Sequence, residues 1–239
     1  MIATSGGAVA APPGRPGAAL RWLVVLPALV LAGAVVAAAV RMGRTDAVAE
    51  SAAREMALWP QQKGRPTPAE WSQLRERVAL ASAVSPADPA IPELLGVLDL
   101  SRPDEASARE AYAELLRSLS LRPSSPYTWA NVAQARSRLG FSMSDILTTI
   151  LIATQLGPAE PEVQRALIDI GLGRWDRLPE PVRQQVREAL AQSMQRYPFK
   201  TLPIASRHGH LEMACPYVAG DARLARTSWP RRCQLQPPK

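Results

Sequence analysis

The chain has 239 residues, with 28 Lys and Arg against 21 Asp and Glu, so its formal net charge is +7. The excess lies at the two ends: residues 1–45 carry +4 and residues 199–239 carry +5, whereas residues 46–198 carry about −2. Charge confined to the ends argues against a nucleic-acid-binding domain, so we expect no nucleic-acid partner. The length allows one compact domain of ordinary size with its own core.

The first predicted element is an uninterrupted apolar run, WLVVLPALVLAGAVVAAAV, over residues 22–40. As a helix it would span roughly 28 Å, close to the ~30 Å hydrocarbon core of a bilayer. We therefore predict a transmembrane helix at 22–40, preceded by a short N-terminal tail at 1–21.

A cleaved signal peptide is the alternative, because small residues around Ala32-Gly33-Ala34 and Ala47-Val48-Ala49 fit a cleavage pattern. The run is longer than the apolar core of a signal peptide, and Arg41 and Arg44 follow it as in a stop-transfer sequence, which favours the anchor. Basic residues on both sides leave the orientation open. A tail of Gly, Pro and Ala with no evident structure, and two cysteines near the C-terminus, favour a periplasmic C-terminal part.

Residues 41–66 are predicted to be a membrane-proximal helix and linker. An Ala-rich pattern from Ala47 to Leu58 is compatible with a helix, but the sequence leaves open whether that helix forms. Trp59-Pro60 and Lys63-Gly64-Arg65-Pro66 interrupt that pattern, so we expect a linker or turn at 59–66.

Residues 67–198 are predicted to be helical, because apolar residues recur there at helical spacing. Starts are signalled by Thr67-Pro68-Ala69-Glu70, by Ser125-Pro126 and by Leu178-Pro179-Glu180-Pro181. The clearest apolar stripes are Trp71, Leu74, Val78, Ala81; Ala108, Tyr112, Leu115, Leu119; Ile146, Ile150, Ala153, Leu156; and Val182, Val186, Ala189, Ser193, Tyr197.

The helix ends repeat as well. A small residue is followed five positions later by proline at Ala81/Pro86, Ser118/Pro123, Ala153/Pro158 and Ser193/Pro198. The prolines are 37, 35 and 40 residues apart, close to the ~34-residue period of tetratricopeptide-like repeats. We expect the small residue to let neighbouring helices approach and the proline to end the helix.

We therefore predict an all-α fold: an N-terminal transmembrane helix, an irregular tetratricopeptide-like α-hairpin solenoid at 67–198 and a loop-rich C-terminal tail. The repeat is imperfect, since Arg136 stands where Tyr is expected and Leu95 where Trp is expected. A non-repetitive helical bundle is the alternative. In either arrangement a single hairpin cannot bury its apolar face alone, so the hairpins must stack.

Residues 199–239 are predicted to be a basic, loop-rich tail that contacts lipid head groups or an acidic partner. It holds Cys215 and Cys233, which enclose 17 residues and are expected to form a disulfide if this part is exported. His208, His210 and Cys215 could instead be metal ligands, but too few ligands remain for a zinc site, so we expect no metal.

The sequence has no phosphate-binding loop, no nucleophile elbow, no H-E-x-x-H pair and no dinucleotide fingerprint. Carboxylates such as Asp104-Glu105 and those of Glu160 and Glu162 fall in the first turns of predicted helices, where the helix dipole favours them. We expect no enzyme, no catalytic residue and no cofactor. The polar group most worth testing lies at Trp129-Ala130-Asn131.

The order of parts resembles the VpsP-type accessory proteins of bacterial exopolysaccharide biosynthesis clusters. The resemblance covers roughly residues 20–239 and is carried by the segments AIPELLGVLDLS, RPSSPYTWANVAQARSRLG and WPRRCQ, most specifically by residues 124–131. It implies an inner-membrane protein that supports polysaccharide assembly or export without being a glycosyltransferase, and it supplies no catalytic residues.

The expected function is therefore that of a membrane-anchored scaffold that binds other proteins of an exopolysaccharide assembly system. A tethered adaptor of another envelope machine, such as cytochrome maturation, pilus assembly or division, is the alternative. An enzyme using His208, His210 and Cys215 is a third hypothesis, which would require a bound metal.

Overall fold

The computed structural model describes residues 18–62 and 66–234, and every regular element within these ranges is helical. It divides into two compact units, residues 1–46 and 47–239. Most of the predicted N-terminal tail, at 1–17, and the centre of the predicted linker, at 63–65, lie outside the described residues.

The first helix, α1 (Ala18–Gln62), contains the predicted membrane span. Its segment Val25–Trp59 includes an 18-residue window with a mean hydropathy of 2.1, none of which is buried. By length and composition this helix can cross a membrane. The expected turn at Trp59-Pro60 does not form, because α1 continues to Gln62; a proline close to a helix end need not stop the helix.

Four helix pairs and short C-terminal helices make up the second unit. The later part of α1 precedes α2 (Pro68–Val84). Three hairpins follow: α3 (Ala90–Leu100) with α4 (Glu105–Leu121), α5 (Pro126–Arg138) with α6 (Met143–Leu156), and α7 (Pro161–Leu172) with α8 (Glu180–Arg196). The C-terminal segment contains α9 (Pro198–Arg207), α10 (Leu211–Ala214) and α11 (Trp229–Gln234).

The hairpins stack in chain order. Each first helix packs on its own partner and on the first helix of the next unit, giving the series α3, α5, α7, α9. Each second helix also packs on the following first helix, whereas the described second helices α2, α4, α6 and α8 share no comparable contacts with one another. This pattern confirms the predicted all-α, tetratricopeptide-like arrangement and places the first helices on the more closely packed side.

Two predicted helix starts are confirmed by their caps. Thr67 Oγ1 accepts a hydrogen bond from the Glu70 N–H at 3.2 Å, and the Thr67 N–H donates to Glu70 Oε2 at 2.8 Å, which is a capping box. Ser125 Oγ accepts from the Thr128 N–H at 3.3 Å at the start of α5. At the start of α4, hydrogen bonds from Ser107 lower the pKa of the Asp104 carboxyl to about 2.

The four proline-terminated helices end in the same way. The residues before the prolines have φ between −131° and −147° and ψ between 53° and 79°, outside the helical region. A proline disfavours helical geometry in the residue that precedes it, so the helix ends there. Each of these residues still donates its N–H to the carbonyl of the small residue four positions earlier; the pairs are Ser85/Ala81, Arg122/Ser118, Gly157/Ala153 and Tyr197/Ser193.

The small residues lie where neighbouring helices meet, as predicted, and all four are buried. Ser118 Oγ donates to the Pro89 carbonyl at 2.8 Å, at the start of α3. Ser193 Oγ and Thr201 Oγ1 are 2.6 Å apart, which joins α8 to α9. Both hydroxyls therefore tie a second helix to a neighbouring first helix while occupying little volume.

The C-terminal segment has more regular structure than the expected loop-rich tail. Residues 198–207 form α9, and two shorter helices follow it. Leu202, Leu211, Val218 and Leu224 are buried in the same apolar cluster as residues of α7 and α8. This segment therefore covers the apolar face that the last hairpin would otherwise expose, as terminal units of repeat proteins must do.

Gly171 lies at a close approach of α7 to α8. A Cβ atom there would lie 2.4 Å from Cγ2 of Val186, a β-branched side chain with little freedom to move. Gly171→Ala should therefore lower the free energy of unfolding by about 1–3 kcal/mol in denaturant titrations followed by circular dichroism. Gly43→Ala is the control, because nothing lies within 4 Å of its added Cβ.

The double variant G171A/V186A separates overpacking from other causes. Removing the Val186 methyl groups makes room for the new Cβ, so its loss of stability should be smaller than the sum of the two single losses. Additive losses would contradict the close contact.

Candidate functional site

The segment Trp129-Ala130-Asn131 separates into a packing residue and a polar one. Trp129 packs against two apolar clusters and donates its indole N–H to the Pro123 carbonyl at 2.8 Å, so it is structural. Asn131 is half-buried on α5, and Gln134 lies one helical turn further along. Neither amide forms a side-chain hydrogen bond with another residue that the structure describes, which leaves both available to a partner.

Arginines recur where the first helices end. Arg102, Arg138 and Arg174 follow one another at intervals of 36 residues, a regularity that is visible in the sequence but did not enter the predictions. An Arg138 amino group donates to the carbonyls of Leu100 at 2.5 Å and Arg102 at 2.8 Å, and burial lowers its pKa. Arg174 donates to the Ser137 carbonyl at 2.9 Å. These side chains join the C-terminal end of one first helix to that of the next.

A polar cleft of about 520 Å³ lies at this edge, beside the third hairpin. The connection between α7 and α8 contains a 3₁₀ turn, Trp175–Arg177, and both histidines of the chain contribute to the cleft. The lining residues are Leu172, Gly173, Arg174, Trp175, Asp176, Arg177, His208 and His210.

The side chains of the two histidines lie beside carboxylates, His208 beside Asp169 and His210 beside Glu212. His208 Nε2 lies 2.5 Å from Asp169 Oδ1, which also accepts from Arg207 at 2.6 Å. A Cβ on Gly173 would be 3.0 Å from the His208 ring, so a larger residue there would displace the imidazole. The centroid of the His210 ring lies 5.9 Å from the centroid of the Trp175 ring system. The sequence predicted neither the cleft nor the approach of His208 to Asp169.

The cysteines form the expected disulfide, with Cα atoms 5.5 Å apart. Cys215 therefore presents no thiolate to pair with His208 and His210. Across residues 18–62 and 66–234, no group of three His, Cys, Asp or Glu side chains is placed to hold a metal ion. The disulfide joins the start of the turn after α10 to α11 and is compatible with an oxidising compartment.

Asp99, at the end of α3, is a fully buried carboxylate. Arg75 Nε donates to its Oδ1 at 2.8 Å, and an Arg75 terminal nitrogen donates to its Oδ2 at 3.3 Å and to Glu110 Oε2 at 2.9 Å. Burial raises the pKa of Asp99, and the Arg75 guanidinium opposes that rise. Asp99 does not line the cleft, so the pair has the geometry of a structural tie between α2 and α3.

A second surface cleft, of about 410 Å³, lies between the later part of α1 and α2. Three glutamates, Glu55, Glu70 and Glu76, line it together with Arg77. Arg77 forms an ion pair with Glu55, and Glu70 completes the cap of α2. Three of these four charged side chains therefore already serve the local structure.

The fold and the apolar helix define a helical-repeat protein, with one candidate membrane span within the residues that the structure describes. No protein-family model matches the chain, and no curated protein matches it. The function of this chain is therefore inferred from the arrangement of its own residues.

Arg75→Met should destabilise the protein by about 3 kcal/mol near neutral pH, because it leaves the buried Asp99 carboxylate without its partner. Asp99 becomes easier to protonate when the guanidinium is absent. Because burial raises the pKa of Asp99, the loss should shrink as the pH falls from neutral, and most of the change should come above the ordinary Asp pKa of about 4. Arg77→Met is the control; its exposed ion pair with Glu55 should contribute less than about 1 kcal/mol. A pH-independent loss would contradict this account.

Cys233→Ser should lower the unfolding free energy by about 2–4 kcal/mol, because it opens the cross-linked loop between positions 18 residues apart. Thermal unfolding with and without reductant measures the effect, and reductant should change the wild type but not the variant. Alkylation of cells quenched with acid should leave both wild-type cysteines unmodified. Full alkylation would mean that the cysteines are reduced in the cell.

Proposed function

We propose that this protein is a non-catalytic, single-pass inner-membrane scaffold whose periplasmic helical-repeat domain supports exopolysaccharide biosynthesis, assembly or export. The stack of helix hairpins carries the proposal, because such stacks offer an extended surface for protein segments. The apolar helix α1 supports membrane attachment, and the disulfide supports a periplasmic location. The resemblance to VpsP-type accessory proteins supplies the link to polysaccharide.

Membrane attachment gives a scaffold a physical means of acting without chemistry. Tethering confines the repeat domain to the neighbourhood of other membrane components and raises its effective concentration there. Modest affinity for each partner is then sufficient for assembly, and the binding surface supplies the selectivity.

The first helices are the surface on which we place partner binding. They contact one another in series, and Asn131 and Gln134 present their amides from α5. An amide carries both donors and an acceptor, so two amides one turn apart can bind the backbone of an extended segment. The partners are then other proteins of the assembly system.

Deletion of the gene in the source bacterium should reduce secreted and cell-surface polysaccharide, and a plasmid-borne copy should restore it. The variant N131A/Q134A should fail to restore polymer although it is made at the wild-type level. The matched control is T148A/Q155A, which alters two exposed residues of α6.

Unchanged polymer in the deletion strain would contradict a role in polysaccharide assembly. Cross-linking in that case would identify the envelope machine to which a tethered adaptor belongs. Restoration by N131A/Q134A would contradict partner binding through α5 and leave the rest of the proposal standing.

A further inference from the structure

The third hairpin departs from the pattern of the other two. The connections within the α3–α4 and α5–α6 hairpins, 101–104 and 139–142, each have four residues, whereas the α7–α8 connection, 173–179, has seven. Insertions in repeat proteins form loops on one face, which is often the face that binds. The longer connection contributes five of the eight residues that line the polar cleft.

The inserted turn carries polar groups that the fold does not use. The side chains of Asp176 and Arg177 are exposed and form no ion pair or hydrogen bond with another residue that the structure describes. Within the same part of the chain, the indole N–H of Trp175 also donates to no acceptor. The cleft therefore presents free donors and a free carboxylate side by side.

The charge around the cleft argues against an anionic ligand. Both α7 and α9 end at it, and the C-terminal end of a helix carries partial negative charge. Asp169 and Asp176 add two carboxylates, while Arg174 and Arg207 are already engaged with helix ends or with Asp169. Of these arginines and Arg177, only Arg177 has no partner within the described residues, and the Asp176 carboxylate lies next to it in sequence.

A ligand rich in hydroxyl groups fits these groups better. A hydroxyl is both a donor and an acceptor, so it can bond to a guanidinium and a carboxylate at once. The cleft volume of about 520 Å³ lies within the ordinary range for small-molecule sites, and its lining is polar apart from Leu172 and Trp175. The Trp175 indole is half-buried, with the guanidinium groups of Arg183 and Arg187 at 5.8 and 5.6 Å from its ring centroid. The rest of its ring offers an apolar surface next to the polar groups of the cleft.

We propose that the cleft formed by Trp175, Asp176, Arg177 and His210 binds a saccharide segment. The inference extends the proposed function, since it gives the scaffold a direct contact with the polymer or its precursor as well as with proteins. Asp176 and Arg177 hydrogen-bond the hydroxyls, and Trp175 contacts the sugar ring.

The test uses the full chain in nanodiscs, prepared without glycoside detergents that could occupy the cleft. The probe is the oligosaccharide fraction released by mild acid hydrolysis of the source bacterium's secreted polysaccharide, and saturation-transfer NMR and calorimetric titration measure binding. The wild type should bind saturably. The variant D176N/R177Q should bind at least about tenfold more weakly, a difference of ~1.4 kcal/mol.

The control variant is E105Q/R109Q, which removes the same two charges from an exposed ion pair on α4 and should bind as the wild type does. Absence of saturable binding by the wild type, or equal binding by D176N/R177Q, would overturn the proposal. Inorganic phosphate should not displace the oligosaccharide; displacement would assign the cleft to an anion instead.

Failure of this inference is distinguishable from failure of the proposed function. Loss of polymer in the deletion strain without saccharide binding by the purified protein would refute the cleft assignment alone. Saccharide binding together with unchanged polymer would refute the role in assembly and leave the binding site in place.

Discussion

The residue before a proline is forced out of the helical conformation, and the repeat domain depends on this restriction. It ends four helices at the same point relative to a buried small residue, from Ala81 before Pro86 to Ser193 before Pro198. Because the small residue sits where neighbouring helices meet, the helix end and the helix contact are held in one register. Stacking of successive hairpins follows from that register, since α3, α5 and α7 each begin eight or nine residues after the preceding contact.

A stack of hairpins is stable only when its two terminal apolar faces are covered. At one end, residues of α1 from Val48 onward pack with Leu74 and Val78 of α2. At the other, the C-terminal segment supplies Leu202 and Leu224 to the last cluster. The disulfide restricts that segment in the unfolded chain, so it compensates for the short helices, which have little intrinsic stability.

Local rules account for the parts of the fold that the sequence predicted. Capping at Thr67 and the proline stops involve residues within five positions of one another, so their geometry follows from the sequence alone. Packing of the C-terminal segment does not follow from the sequence alone. Pro203 and Gly209 are typical of loops, and the burial of this segment depends on its contacts with α7 and α8. The cleft is even harder to predict from the sequence. His208 contacts Asp169, 39 residues earlier, only because the hairpins stack.

The α7–α8 hairpin differs from the two hairpins before it, and the similarity of those two makes the difference informative. A solenoid of uniform hairpins repeats similar chemistry along its length, so selectivity must come from local exceptions. The three additional residues between α7 and α8 are not needed for the stack, since the two preceding hairpins close with four. Their exposed polar side chains contribute little to stability, as mostly solvated groups do. Leu178 and Trp175 anchor this turn to the core. Its exposed Asp176 and Arg177 side chains add hydrogen-bonding groups without adding packing, and these groups are better explained by a ligand than by the fold.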